Sequence, residues 1–149
     1  QAVRRVTIMN NKMTLKFTAI SENEQFARTV VAGFIMGLDP TIEVLTDVKT
    51  AVSEAVTNCI VHGYPDGGGE ITMECEIDDG VLTVKISDSG VGIENLDKVL
   101  EPFYTSKPLD ERAGMGFTIM RTFMDSFTVN SEVNRGTTVF MSKQLVKSA

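Results

Sequence analysis

Cysteine, positive charge and long apolar runs are all scarce in this chain, and each scarcity closes off a class of function. The two cysteines, Cys59 and Cys75, stand in apolar patterns with no ligand spacing, which reads as buried free thiols in a reducing cytoplasm. Lysine and arginine number 14 against 20 acidic residues, a formal net charge of −6, so non-specific binding to nucleic acid is not expected. An acidic chain can still bind a polyanion where local backbone N–H groups or a metal ion offset its field. The longest apolar run, "TVVAGFIMGL" from Thr29, is too short to span a bilayer, and no signal-peptide pattern stands at the start. Internal repeats and low-complexity segments are absent.

What is present is an ordinary globular composition, 42% hydrophobic and 23% charged over 149 residues, which suits one domain that buries its core without staples. The opening "QAVRRVTIMNNKM" carries no Met at position 1; residues 1–8 are expected to lie outside the fold, with a single domain over 9–149. "MTLKFTAI" alternates and predicts a strand. Ser21 with Glu24 predicts a capping box, and Phe26, Val30, Phe34 and Leu38 predict the apolar stripe of a first helix. "DP" at Asp39 ends that helix, and Thr41 is placed to cap a second. The apolar side of the second helix is expected to carry Ile42, Leu45, Val48, Val52, Ala55, Val56, Cys59 and Ile60, until "HGYPDGGG" breaks it.

Ile71, Met73, Cys75 and Ile77, then Leu82, Val84 and Ile86 across "DDG", predict a hairpin. A short helix near "ENLDKVL" leads into "EPFYTSKPLDERAGMG", which reads as a long polar loop of the lid or binding-loop kind. A helix over "MGFTIMRTFMDSF" and a second hairpin, "FTVNSEV" with "TTVFMSKQL" across "NRG", complete the order. Clustered strands and clustered helices predict an α+β two-layer sandwich, with helices on one face of a mixed, mostly antiparallel sheet.

Three stretches carry chemistry. Glu54 and Asn58 share a helix face at four-residue spacing, where an amide oxygen can join a magnesium ion and a carboxylate can take a proton. A solvated polar helix edge would show the same pair. "DSGVGI" follows a strand directly, and a carboxylate at a strand end, Asp88, can accept from the exocyclic amino group of adenine and repel the oxygen of guanine. Alone, D-x-G-x-G also describes an ordinary turn. "GMG" from Gly114 to Gly116 is expected to open a helix, where N–H groups and the positive dipole end suit phosphate.

In this order, "EAVTN", "DSGVGI" and "GMGF", with "GTT" at Gly136 as a weaker fourth, resemble the GHKL family of ATPases and kinases, among them gyrase, MutL and the histidine kinases. The resemblance is closer to the small bacterial anti-sigma factors that are serine-protein kinases, above all those of sporulation. It extends from Met13 to about Lys147 through "SENEQFAR", "LDPT", "VSEAVTN", "HGY", "SDSGVGI", "FYTSKP", "ERAGMGFTIM" and "SEVNRGTTV". It implies a Bergerat-type sandwich with ATP beneath a lid. It further implies Asn58 as magnesium ligand, Glu54 as general base, and Asp88 on the adenine amino group. Gly90 and Gly92 would shape the adenine pocket, Gly114 and Gly116 would bind phosphate, and Thr138 would contact adenine. Arg112 would stand near the terminal phosphate, and Arg28 at the partner surface, although a solvated helical arginine would look the same. Lys107 in the lid is assigned no role. His62 has no separate helical-hairpin domain to serve as a phosphoacceptor, so a structural role is expected for it.

The function implied is an ATP- and magnesium-dependent protein-serine kinase in the cytoplasm, a homodimer with no direct nucleic-acid or membrane contact. It would bind and inhibit a sporulation sigma factor of the sigma-F type and phosphorylate a serine of an anti-anti-sigma partner. Alternatives of the same pattern are a stress-response anti-sigma kinase, a non-catalytic module in which ATP gates sigma binding, and a detached ATPase domain of the gyrase or MutL type.

Overall fold

The computed structural model describes residues 10–101 and 108–146, with side chains from 114 onward in the second segment. Residues 1–8, expected outside the fold, fall outside the described residues. The elements run β1 (Asn11–Thr18), α1 (Glu22–Ile35), α2 (Ile42–Asn58), β2 (Glu70–Asp78), β3 (Val81–Asp88), α3 (Leu96–Leu100), α4 (Pro108–Phe123), β4 (Ser126–Glu132) and β5 (Gly136–Gln144). A 3₁₀ turn, Met36–Leu38, trails α1, and a π turn, Cys59–Gly63, trails α2.

The strands form one sheet in the order β1-β2-β3-β5-β4, and all four pairings are antiparallel. The first hairpin follows its alternation: Met73, Cys75 and Ile77 face Ile86, Val84 and Leu82 across the ladder, Ile71 faces Asp88, and all seven apolar residues are buried. Asp79 and Gly80 both adopt positive φ, 52° and 79°, which gives the two-residue primed turn that matches strand twist. The opposite face is polar. Lys85 pairs with Glu74 at 3.6 Å and lies over the Phe140 ring.

Helices α1, α2 and α4 lie on the apolar face, with α2 in contact with both others. Thr41 caps α2 by accepting the Val44 N–H at 3.1 Å. Three helix readings need correction. On α1 the buried positions are Ala27, Val31 and Ile35, one residue on from the predicted Phe26, Val30 and Phe34; Phe26 is 47% exposed, while Leu38, in the 3₁₀ turn, is buried as expected. One residue is about 100° of rotation. Small Ala27 lets α1 approach α2, and Val30 and Phe34 flank the contact half-buried. The capping box does not form: Ser21 is itself helical at φ −61°, ψ −30°, and Glu24 turns toward α2 instead. On α2, Ile42 is 83% exposed and Ala51 is buried.

The rotation of α1 has a measurable consequence. Ile35→Ala should lower unfolding free energy by about 3 kcal/mol, and Phe26→Ala by under about 1 kcal/mol, in urea denaturation. The reverse order would restore the predicted stripe.

Candidate functional site

The last turns of α2 carry Glu54 and Asn58 along one edge and lead into the π turn, where the Tyr64 N–H reaches back to the Cys59 carbonyl at 3.0 Å. This wider turn brings Gly63 against the end of β3. A Cβ on Gly63 would lie 2.9 Å from the Asp88 carboxylate, and one on Gly90 would lie 1.9 Å from the Gly63 carbonyl oxygen. Glycine at both positions therefore allows the helix end and the D-x-G-x-G loop to close around Asp88. The Val91 N–H donates to the Gly63 carbonyl at 2.9 Å and seals the junction. Gly92, at φ 75°, lies against the carbonyl of Glu132 and ties the same loop to the end of β4.

Asp88 is 8% exposed, the buried charged residue among those described. Its carboxylate accepts from the Gly90 N–H at 2.9 Å, from the Cys59 thiol and from the Thr137 backbone. Burial pushes its pKa above the ordinary aspartate value, and these donors oppose the rise. Burial, and then the Asp88 charge, push the Cys59 thiol well up, so it stays protonated and donates. Cys75 is pushed up to about 12 by burial. Both thiols are free and buried, as their patterns predict.

On the other side, Glu54 and Asn58 both point at α4. A Cβ on Gly116 would meet Asn58 Nδ2 at 3.1 Å, Asn58 Oδ1 at 3.2 Å and Glu54 Oε1 at 3.3 Å. Asn58 Nδ2 is buried without a hydrogen-bond partner. Such an orphan costs about 1–3 kcal/mol, which a fold tolerates where a ligand will satisfy the group. Glu54 is raised above the ordinary glutamate range by burial first and by Glu24 second. Glu24, on α1, accepts from the Ser53 hydroxyl and pairs with Arg28 at 3.1 Å. Arg28 thus stands on the α1 surface one ion pair away from the neighbourhood of Glu54.

Between Asp88 and Asn58 lies a narrow cavity of about 20 Å³, lined among others by Ala55, Ile93, Phe117 and Thr137. It has room for about one water and not for a purine. His62, on the π turn, also lines it.

Three predicted site features need correction or fall outside. The helix expected to open at the glycines starts at Pro108, so Gly114 and Gly116 lie inside α4 and part of the predicted loop is helical. Proline favours a first helical position, and acidic Asp110 and Glu111 suit the first turn, signals that the glycines obscured. Thr138 pairs with Ser87 and Asn130 on the sheet face away from the helices; its neighbour Thr137 pairs with Asp88 and Ser131 and lines the cavity. Counting back in twos from Val139 and Met141, both buried, would have picked Thr137. The Arg112 side chain and Lys107 lie outside the described residues.

No group of three or more histidine, cysteine or acidic side chains stands together among the described residues. Magnesium, which binds through one or two protein oxygens plus phosphates and waters, would take the Oδ1 of Asn58, while the orphaned Nδ2 is a donor that calls for an acceptor such as a phosphate oxygen.

The match to the histidine kinase-like ATPase domain covers residues 17–143. The chain belongs to this family. It is 55% identical to an anti-sigma F factor of Clostridium acetobutylicum, over 92% of this chain and 96% of that protein. It is 54% identical to one of Geobacillus thermodenitrificans, over 94% and 97%, and 58% identical to one of Clostridium botulinum, over 90% and 94%. Among solved structures, the RsbU and RsbW domains of a Mycobacterium tuberculosis protein superpose with a TM-score of 0.68 at 16% identity, over 93% of this chain and 34% of that one. The nucleotide-free catalytic domain of the histidine kinase ThkA gives 0.56 at 16%, over 89% and 96%. These two show the fold, and the family's α+β sandwich is the one described above.

Because Glu24 is the second cause of the raised Glu54 pKa, Glu24→Gln should lower the Glu54 titration midpoint while burial keeps it above that of an exposed glutamate. Carboxyl ¹³C NMR, with the Glu54 signal assigned by its loss in Glu54→Gln, reads this directly. An unmoved midpoint would leave burial as the whole cause.

Proposed function

We propose that this chain is an ATP-dependent protein-serine kinase that also binds and inhibits a sigma-F-type sigma factor, acting in the cytoplasm as a homodimer. Its substrate is a serine of an anti-anti-sigma protein. The observation that carries the catalytic reading is the convergence of Glu54 and the orphaned Asn58 amide on Gly116, across one cavity from the buried Asp88. The anti-sigma reading rests on relatives that carry the anti-sigma F name over nearly their whole length. No helix among the described residues is long and apolar enough to cross a membrane.

Asp88 accepts a hydrogen bond from the adenine amino group, and Gly90 and Gly92 keep the loop close around the base. Thr137, rather than Thr138, contacts the ring from the same wall. Asn58 holds magnesium through its amide oxygen, and the bound ion supplies positive charge to the triphosphate. Gly114 and Gly116 reach the phosphates with their N–H groups once α4 is shortened to begin at them, since inside a helix those groups are bonded one turn back. Glu54 removes the serine proton as its oxygen bonds to the terminal phosphorus and the bond to the ADP oxygen breaks. A pKa raised above the ordinary glutamate value by burial and by Glu24 makes it a better base for a hydroxyl. Arg112 stabilises charge on the moving phosphoryl group. Arg28 offers a cation to the partner surface, at the cost of its pair with Glu24. Phosphorylation adds about two negative charges to the partner and weakens its docking on this acidic chain.

The test is incubation with labelled ATP and an anti-anti-sigma protein, followed by mapping of the labelled residue. Glu54→Gln should lower the phosphotransfer rate at least about 100-fold and leave ATP affinity within about threefold. If ATP changes sigma affinity but no serine is labelled, the chain is a nucleotide-gated binding module instead.

Asp88→Asn should weaken ATP about tenfold and narrow the preference over GTP, read by calorimetry with both nucleotides. Equal ATP affinity in the two forms would remove Asp88 as the reader of the base.

A further inference from the structure

Ser131 and Thr137 are directly opposite each other on β4 and β5, on the face that carries Asp88 and the cavity. Their hydroxyl oxygens are 2.7 Å apart. The Ser131 oxygen also receives the Ile93 N–H at 2.8 Å and reaches the Gly136 carbonyl at 3.2 Å. Ile93 immediately follows the D-x-G-x-G run, so one serine connects the loop, the strand end and the threonine at the cavity wall.

We propose that Ser131 is a positioning residue for purine recognition, one that holds the Thr137 hydroxyl at the cavity wall and lets it turn its proton toward the base. A hydroxyl has one proton and two lone pairs. With one lone pair of Ser131 engaged by Ile93, two arrangements satisfy the pair. In the first, Ser131 donates to the Gly136 carbonyl and Thr137 donates to Ser131, so Thr137 shows only lone pairs to the cavity. In the second, Ser131 donates to Thr137, and the Thr137 proton is free to point into the cavity. The 2.7 Å contact survives in both; only the longer contact to Gly136 is given up. The reversal is therefore cheap, and a ligand can drive it.

This deepens the reading of Asp88 as the adenine reader and rests on it. Asp88 is fixed as an acceptor by the donors around it. Adenine presents an amino donor beside a bare ring nitrogen, so it pairs with Asp88 and with Thr137 in the second arrangement. Guanine presents an oxygen that opposes Asp88, while its ring N–H could be accepted by Thr137 in the first arrangement, so rejection of guanine stays with Asp88. Ser131 thus supports recognition of adenine's bare ring nitrogen without touching the base.

The probe is 1-deaza-ATP, in which that ring nitrogen is replaced by C–H, compared with ATP by calorimetry. The wild type should prefer ATP by about tenfold. Ser131→Ala and Thr137→Val should each bring the ratio close to one, mainly by weakening ATP, and the double variant should add nothing further. Ser131→Thr, which keeps the hydroxyl, should preserve the ratio. If Ser131→Ala does not fold by circular dichroism, Ser131→Cys, a similar shape with a weak donor, takes its place with the same expected loss. Equal weakening of both nucleotides, with the ratio kept, would make Ser131 a mere loop support and overturn the proposal. So would a wild-type ratio near one, which leaves ATP binding itself intact. A wild type that binds neither nucleotide would strike the ATP reading and this proposal together.

Discussion

Everything at the site depends on burying one carboxylate. Asp88 ends β3 inside the protein, and its charge is compatible with that position only because donors converge on it from different segments: Gly90 from its own loop, Cys59 from the end of α2, and Thr137 from β5. An uncompensated buried carboxylate would neutralise or unfold the region. The π turn and the glycines beside it are the geometric means of that convergence, because ordinary side chains at Gly63 and Gly90 would collide with Asp88 and with backbone. The sheet register supplies the rest by setting Thr137 opposite Asp88.

The same helix that guards Asp88 presents Glu54 and Asn58 a little further back, and these respond to a different neighbour. Asn58 keeps a buried, unsatisfied amide, while Glu54 carries a pKa raised by burial and by Glu24 across the α1–α2 contact. The rotation of α1 matters here. It buries Ala27 and Val31 and turns Glu24 toward Ser53, with Arg28 one turn on at the surface. Arg28 pairs with Glu24, which raises the Glu54 pKa, so Arg28 and the proposed base share one electrostatic environment.

Much of the fold was legible because strand alternation is a period of two with little ambiguity. The β2–β3 hairpin, its turn and its buried residues followed from apolar residues at every second position and from "DDG". Helix faces were less legible. On α1, large Phe26 outweighed small Ala27 in the pattern, but close helix packing favours the small residue. At the site, the residue types and their order pointed to Glu54, Asn58 and Asp88; Asn58 and Asp88 line one narrow cavity, and Glu54 lies beside Asn58 against Gly116.

The sequence by itself determined the element order, the antiparallel hairpins and the spacing that places a carboxylate and an amide on one helix edge, because these depend on local periodicity and local turn chemistry. Only the tertiary structure decided which of two adjacent threonines faces Asp88, since Val139, Phe140 and Met141 are apolar at successive positions and the buried side is fixed by pairing with β3 and β4. It also decided that α4 starts at Pro108 and carries Gly116 against Glu54 and Asn58. And it alone joined Ser131 to Ile93, 38 residues back in the chain, because contacts between a strand and a distant loop have no signature in linear order.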